Sequence, residues 1–180
     1  MKAPELITEN GHVRLIKPVV ERDAPLGVQW LQGAIGHETL SLMGVKPQDI
    51  TDSSLVKERK RVQSFIDKTD QLNWMIDLDG KVVGSIWADM TATEYLPAPA
   101  IHLMIGDTNA RGQGVGTASM QAVVQYLHER GFARIHSRHL VKNNGAAELL
   151  HRIGFANEGA RYNDLDGLQW QNVVMQLSLT

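Results

Sequence analysis

Along the chain the spacing of apolar positions switches between two and three-to-four, the periods of a strand and of a helix. "HVRLIKPV" alternates at Val13 and Leu15 and predicts a first strand. "ERDAPLGVQWLQGAIG" predicts one helix, with Asp23 as N-cap and Pro25 in the first turn. In "SSLVKERKRVQSFIDK", Leu55, Val62 and Ile66 fall near one face of a second helix, which makes the charged run from Lys57 to Arg61 its solvated face. "NWMIDL" and "KVVGSIWADM" flank Asp79-Gly80, a strong short-range signal for a tight hairpin. "PAIHLMIGD" and "ARIHSRHLV" are strand-like, and a helical run with Met120, Val123, Val124 and Leu127 separates them and closes at Gly131. Ala146, Leu149, Leu150 and Ile153 mark a short helix ended by Gly154, and "FANEGARYN" and "LQWQNVVMQLSL" predict two last strands joined across Asp164 to Gly167. The order is β-α-α-β-β-β-α-β-α-β-β. It predicts a single domain over 1–180, of α/β (α+β layered) class, with a mixed sheet of about seven strands and about four helices.

Three glycines, Gly112, Gly114 and Gly116, stand at alternate positions just before the third helix. The order there is strand, glycine loop, helix. A helix N-terminus carries unpaired N–H groups and roughly half a positive charge, and small residues let an anion reach them. The stretch is not G-x-x-x-x-G-K-[ST], because no lysine follows Gly116, and the G-x-G-x-G spacing is not the dinucleotide G-x-G-x-x-G. A nucleotide triphosphatase and a nicotinamide enzyme are therefore disfavoured.

Composition narrows the chemistry further. The chain has no cysteine, which removes disulfides, thiolate nucleophiles and zinc–thiolate sites and fits a reducing cytoplasm, the expected location. A formal charge of −2 over 180 residues gives no reason to expect nucleic acid or an anionic membrane as partner. "MKAPELITENG" lacks the apolar core of a signal peptide, and no apolar run approaches the ~20 residues of a membrane span.

"RGQGVG", residues 111–116, fits R-x-x-G-x-G, and "NNGAAELLHRIGF" follows about thirty residues later with Asn143, Ala146, Gly154 and Phe155 in register. Together they resemble the GNAT superfamily of acetyl-CoA-dependent N-acetyltransferases. The element order agrees over nearly the whole chain. "LIKPVVERDAPLGVQWL" and "GKVVGSI" are similar to the branch that acetylates ribosomal-protein N-termini. The resemblance implies a mostly antiparallel sheet in which one parallel pair splays, with acetyl-CoA in the notch. It assigns pantetheine contacts to the backbone of Met104, Ile105 and Gly106. The diphosphate goes to the N–H groups of Arg111, Gly112, Gln113, Gly114, Val115, Gly116 and Thr117. Asn143, or its neighbour Asn144, is assigned a cofactor hydrogen bond, though Asn143 could equally cap its helix. The implied reaction is direct attack of an amine on the thioester. The acceptor is a protein N-terminus or a small amine, and no metal is required. The oligomeric state stays open, with a homodimer common among similar proteins.

One position departs from the family pattern. Its aromatic residue, often a tyrosine that protonates the leaving thiolate, is Leu150 here. A non-catalytic acyl-CoA-binding module is therefore the second reading. A thiol pKa near ~8.5 still makes the thiolate a tolerable leaving group. For a base that receives the amine proton, His102 on the strand and Glu94 in "TATEYLPAP" are the candidates, with Asp89 weaker. Each has an ordinary alternative: a strand histidine for His102, a solvated loop charge for Glu94. His37 reads as a cleft or surface residue. His136 and His139 fall on opposite faces and so form no obvious metal pair, and "NDLDG" reads as a hairpin turn.

Overall fold

The computed structural model describes residues 3–9 and 11–178, so the chain ends and Leu179 of the last predicted strand lie outside the described residues. In chain order the elements are β1 (Leu6–Ile7), β2 (Val13–Ile16), α1 (Val20–Trp30), α2 (Gly33–Leu42), α3 (Leu55–Asp67), β3 (Gln71–Leu78), β4 (Lys81–Asp89), β5 (Ala100–Ile105), α4 (Val115–Glu129), β6 (Arg134–Leu140), α5 (Asn144–Arg152), β7 (Ala156–Asn163) and β8 (Gln169–Gln176). Two single-turn helices, Pro47–Asp49 and Thr108–Ala110, complete the set. The strands form one eight-stranded sheet in the order β1-β2-β3-β4-β5-β6-β8-β7. Every pairing is antiparallel except β5 with β6. This is the layered mixed fold that the pattern of periods predicts.

Both faces of the sheet are covered. On one, Leu15, Trp74, Ile76, Ile86 and Ile101 pack against Met120, Val123 and Leu127 of α4 and Leu150 of α5. On the other, Met75, Val82 and Met104 pack against Trp30 and Leu31 at the end of α1. Successive residues of β3 thus serve opposite cores, so the strand is buried throughout its middle even though polar Gln71, Asn73 and Asp77 alternate with Leu72, Trp74, Ile76 and Leu78. The β3–β4 turn has φ of 50° at Asp79 and 89° at Gly80, the doubly left-handed backbone of a two-residue hairpin.

Three expectations need correction. The first predicted helix is two helices. The chain leaves α1 at Leu31 and turns at Gly33, where φ is 61°. It then packs α2 so closely that a Cβ on Gly36 would lie 2.3 Å from the Leu31 carbonyl carbon. Asp23 is not the N-cap. Val19 holds that position, and the buried Asp23 carboxylate reaches back to accept the Val19 N–H at 2.7 Å while pairing with Arg22 at 2.6 Å. Nor is the charged run of α3 wholly solvated. Glu58 is buried between the Ser53 hydroxyl and Arg61 Nε at 2.6 Å, over a space that Gly27 leaves in α1. Leu55 and Ile66, expected inward, are exposed. A charge with its own partner can take a buried position that the apolar pattern assigns to a hydrophobe. The additional strand, β1, is two residues long and carries no readable period.

Candidate active site

The glycine turn follows β5. Asp107 accepts the Asn109 N–H at 3.0 Å and is held by Lys81 Nζ at 2.6 Å. Its carboxyl sits below its ordinary value, chiefly because of the Lys81 hydrogen bond. Residues 111–114 form an exposed turn in which Gly112 and Gly114 have φ of 74° and 79°. Gly114 is the N-cap of α4, and with no side chain there nothing caps the first-turn N–H groups. Nothing lies within 4 Å of the place a Cβ would take at Gly112 or Gly114. The turn therefore presents backbone donors to open space, as an anion cradle requires. Gly116 is different: buried in α4, it leaves room for Leu149 and Leu103, whose methyl carbons would lie 2.8 and 3.1 Å from an added Cβ.

The notch lies between β5 and β6. Only Ala100 and His136 pair in parallel register, with Ser137 Oγ donating to Ile101 O at 2.7 Å one residue further on. On its other edge β5 pairs with β4, where the Gly106 N–H bonds Val83 O at 2.9 Å. Backbone groups of an antiparallel strand alternate in direction. Met104 and His102 therefore point theirs toward β4 as Gly106 does, while Leu103 and Ile105 turn theirs into the notch. Of the three residues expected to offer backbone here, only Ile105 faces the gap, and its carbonyl already accepts Arg111 Nε at 3.0 Å. Gly106 lies away from the notch under Trp30, whose ring atoms come within 2.2 Å of a notional Cβ.

A cleft of about 700 Å³ runs from the glycine turn through the notch. Met104, Ile105, Arg111, Gly112, Gly114, Val115, Gly116, Thr117, Asn143 and His102 line it. Gln113, Gly106, Asn144 and Glu94 are not among its lining residues. Gln113 instead donates to Asn109 O at 2.6 Å, and Glu94 and Asn144 are exposed. Asn143 caps α5, accepting the Ala146 N–H at 3.0 Å, and its Nδ2 donates to Leu42 O of α2 at 3.2 Å. Arg111 also reaches α2, through Nη2 to Thr39 Oγ1 at 2.9 Å. Leu150 is buried on the cleft wall.

At the far end His102 stacks on Trp87, with ring centroids 5.3 Å apart and planes at 23°. Its Nε2 stands 3.0 Å from Asp89 Oδ2, in ion-pair range but out of line for a hydrogen bond. Gln71 donates to the other Asp89 oxygen. Burial pushes the Asp89 carboxyl up, but His102, Gln71 and Lys68 outweigh it and hold it below its ordinary value. Across the notch, Arg138 lies over the Trp170 ring at 4.2 Å.

A model of the acetyltransferase (GNAT) family matches residues 45–155. The chain belongs to that family. A curated relative, an uncharacterized N-acetyltransferase of Methanocaldococcus jannaschii, is 31% identical over 85 residues, 46% of this chain; the match spans 38% of the relative's length. Among solved structures, RimL, a ribosomal L7/L12 alpha-N-protein acetyltransferase in complex with coenzyme A, superposes with a TM-score of 0.76 at 21% identity over 97% of this chain and 99% of that one. The microcin C7 self-immunity acetyltransferase, in complex with acetyl-CoA and AMP, gives 0.73 at 14% identity over 92% and 93%.

For a GNAT chain, then, sequence reasoning had placed the glycine turn, the capping asparagine and His102, while Trp87, Arg138, Trp170 and Thr39 escaped it. Those four carry no motif and reach one cleft from four elements. Of the other histidines singled out in the sequence, His37 pairs with Asp52 at 2.9 Å and His136 with Glu158 at 2.9 Å, whereas His139 lines the cleft with Nδ1 3.0 Å from Leu140 O and Nε2 buried without a hydrogen-bond partner among the described residues. Among the described residues no group of three or more acidic or histidine side chains could hold a metal, and no helix is long and apolar enough to cross a membrane.

Proposed function

We propose that this GNAT protein transfers the acetyl group of acetyl-CoA directly to a primary amine, a protein N-terminal α-amine or a small amine, with both held together in the cleft. One observation carries the reading. The uncapped glycine turn and the outward backbone of the splayed strand line a single cleft that ends at a histidine–carboxylate pair.

The residues fit such a donor. The Arg111 N–H is taken by Thr108 O at 3.2 Å, so the backbone N–H groups from Gly112 to Thr117 bind the diphosphate, and the empty space beside Gly112 and Gly114 admits it. The donor supplies an activated thioester. The Leu103 and Ile105 backbone groups align the pantetheine arm, and the Leu103 N–H stabilises negative charge developing on the carbonyl oxygen. Trp87 and Asp89 hold the His102 ring, and His102, directly or through one water, takes the proton from the attacking nitrogen. A carbon–nitrogen bond forms, the carbon–sulfur bond breaks, and the thiolate leaves with the electron pair. Leu150 gives it no proton, so water does. An α-amine, with a pKa of about 7.7–8.0, is already partly neutral at pH 7, whereas an alkylamine near 10.4 leans harder on the base.

The test is thiol release from acetyl-CoA across peptides ending in Ala, Ser or Met and a set of small amines. Amine-dependent release is expected, with His102→Gln lowering kcat by about 10²–10⁴. Tight coenzyme A binding with no release on any amine would instead make the protein an acyl-CoA-binding module.

A further inference from the structure

The acceptor end of the cleft has two walls of opposite charge. Counted on from the Ala100–His136 pair, His102 and Arg138 fall on the same face of the two strands, one on each side of the gap. Both line the cleft. Behind His102 is the Asp89 carboxylate. Arg138 is held by aromatic rings: its guanidinium lies over Trp170, and Nη1 donates to Tyr162 Oη at 3.2 Å. Tyr162 in turn stacks on Tyr95 with ring centroids 5.5 Å apart.

No carboxylate among the described residues comes within ion-pair distance of Arg138. Asp164 is within electrostatic reach, but its oxygens are taken by Trp170 Nε1 at 2.8 Å and by the N–H groups of Asp166 and Leu168, both at 2.9 Å. A guanidinium has five N–H donors in a planar fork suited to carboxylate or phosphate, and Tyr162 uses one. The rest of the fork is fixed in direction and meets no anion among the described residues.

We infer that Arg138 recognises an anionic group on the acceptor, so that the acceptor is a primary amine whose own molecule carries a carboxylate or phosphate a few bonds from the nitrogen. This rests on the acetyltransferase reading above. Asp89 and His102 draw the amine to one wall while Arg138 draws the anion to the other. Polyamines, cationic along their length, meet Arg138 as a repulsion.

Matched pairs test this: phosphoethanolamine against ethanolamine, and amidated Ala-Asp against amidated Ala-Asn, with spermidine as a polycation. The readout is the ratio of kcat/KM within each pair, from thiol release. The wild type is expected to prefer the anionic member roughly ten- to hundredfold in at least one pair, the scale of one charged hydrogen bond, and the pair that responds tells phosphate from carboxylate. Arg138→Gln brings that ratio toward one, and Arg138→Lys keeps part of it. Equal use of both members by the wild type overturns the proposal without needing a variant. So does a ratio unmoved by Arg138→Gln, the result expected if the guanidinium only supports Trp170. Calorimetric binding of the same pairs with coenzyme A present reads the preference without turnover. An absence of thiol release on every amine then counts against the transfer reaction, while the binding ratio still judges Arg138.

Discussion

Gly112, Gly114 and Gly116 look alike in the sequence and differ in the fold. The first two have left-handed backbone beside open space, and the third is a packing glycine inside α4. Gly114→Ala therefore forces an L side chain to φ 79°, at a cost of about 1 kcal/mol, and crowds the anion cradle. Coenzyme A affinity measured by calorimetry is expected to fall at least tenfold, with the melting temperature lowered by only a few degrees. Gly116→Val, by contrast, pushes on Leu149 and Leu103 and is expected to lower the melting temperature more. Asp89 makes a separate prediction. Its folded pKa is depressed below the ordinary 3.8, so its contribution to stability is present above that value and is lost as pH falls through the folded value. Asp89→Asn is expected to flatten the loss of stability below pH ~4, read from urea midpoints against pH. The partnership of Asp89 with His102 was not legible in the sequence, because the two residues sit thirteen positions apart and meet only through the β4–β5 register.

The helix that sequence reasoning ran into α1 turns out to matter most for the cleft. Three ties hold α2 against it: Arg111 to Thr39, Asn143 to the Leu42 carbonyl, and Lys142 Nζ to Ser41 Oγ at 2.7 Å. The partners come from the glycine turn and from the start of α5, so α2 is fixed by both loops that border the notch. Thr39→Val leaves the Arg111 Nη2 donor without that partner, a loss of about 1 kcal/mol. Amide exchange of α2 is expected to speed up about fivefold while that of α4 stays as it is. Periodicity placed the remaining long elements because each buries one face against the sheet. It failed at the α1–α2 break because Gly33 and Gly36 act there through backbone conformation and close approach, which leave no mark on a hydrophobic pattern.

At the scale of the whole molecule, the cleft exists because β5 and β6 are parallel neighbours that separate after one pair, with α4 starting beside the gap. Coenzyme A that binds only the folded state stabilises it by about 2.7 kcal/mol at a hundred times Kd. The melting temperature is expected to rise by roughly 5–10 °C for a chain of this size, and Gly114→Ala to lose about half of that rise or more at the same concentration. Leu127, fully buried between α4 and the sheet, is the contrasting position: Leu127→Ala costs about 2–5 kcal/mol. Its melting temperature drops, but the increment from coenzyme A remains.

The sequence by itself determined the succession of elements apart from β1 and the break between α1 and α2, the hairpin at Asp79-Gly80, the glycine turn before α4 and the capping asparagine before α5. These are local matters of period, backbone freedom and helix-end chemistry, settled within a few residues. Tertiary structure alone decided which backbone groups of β5 face the notch and that Glu58 is buried with Arg61. It also decided that Asp89 and His102 confront Arg138 across one cleft. Those facts depend on strand register and on distances between residues far apart in the chain, which no local pattern encodes.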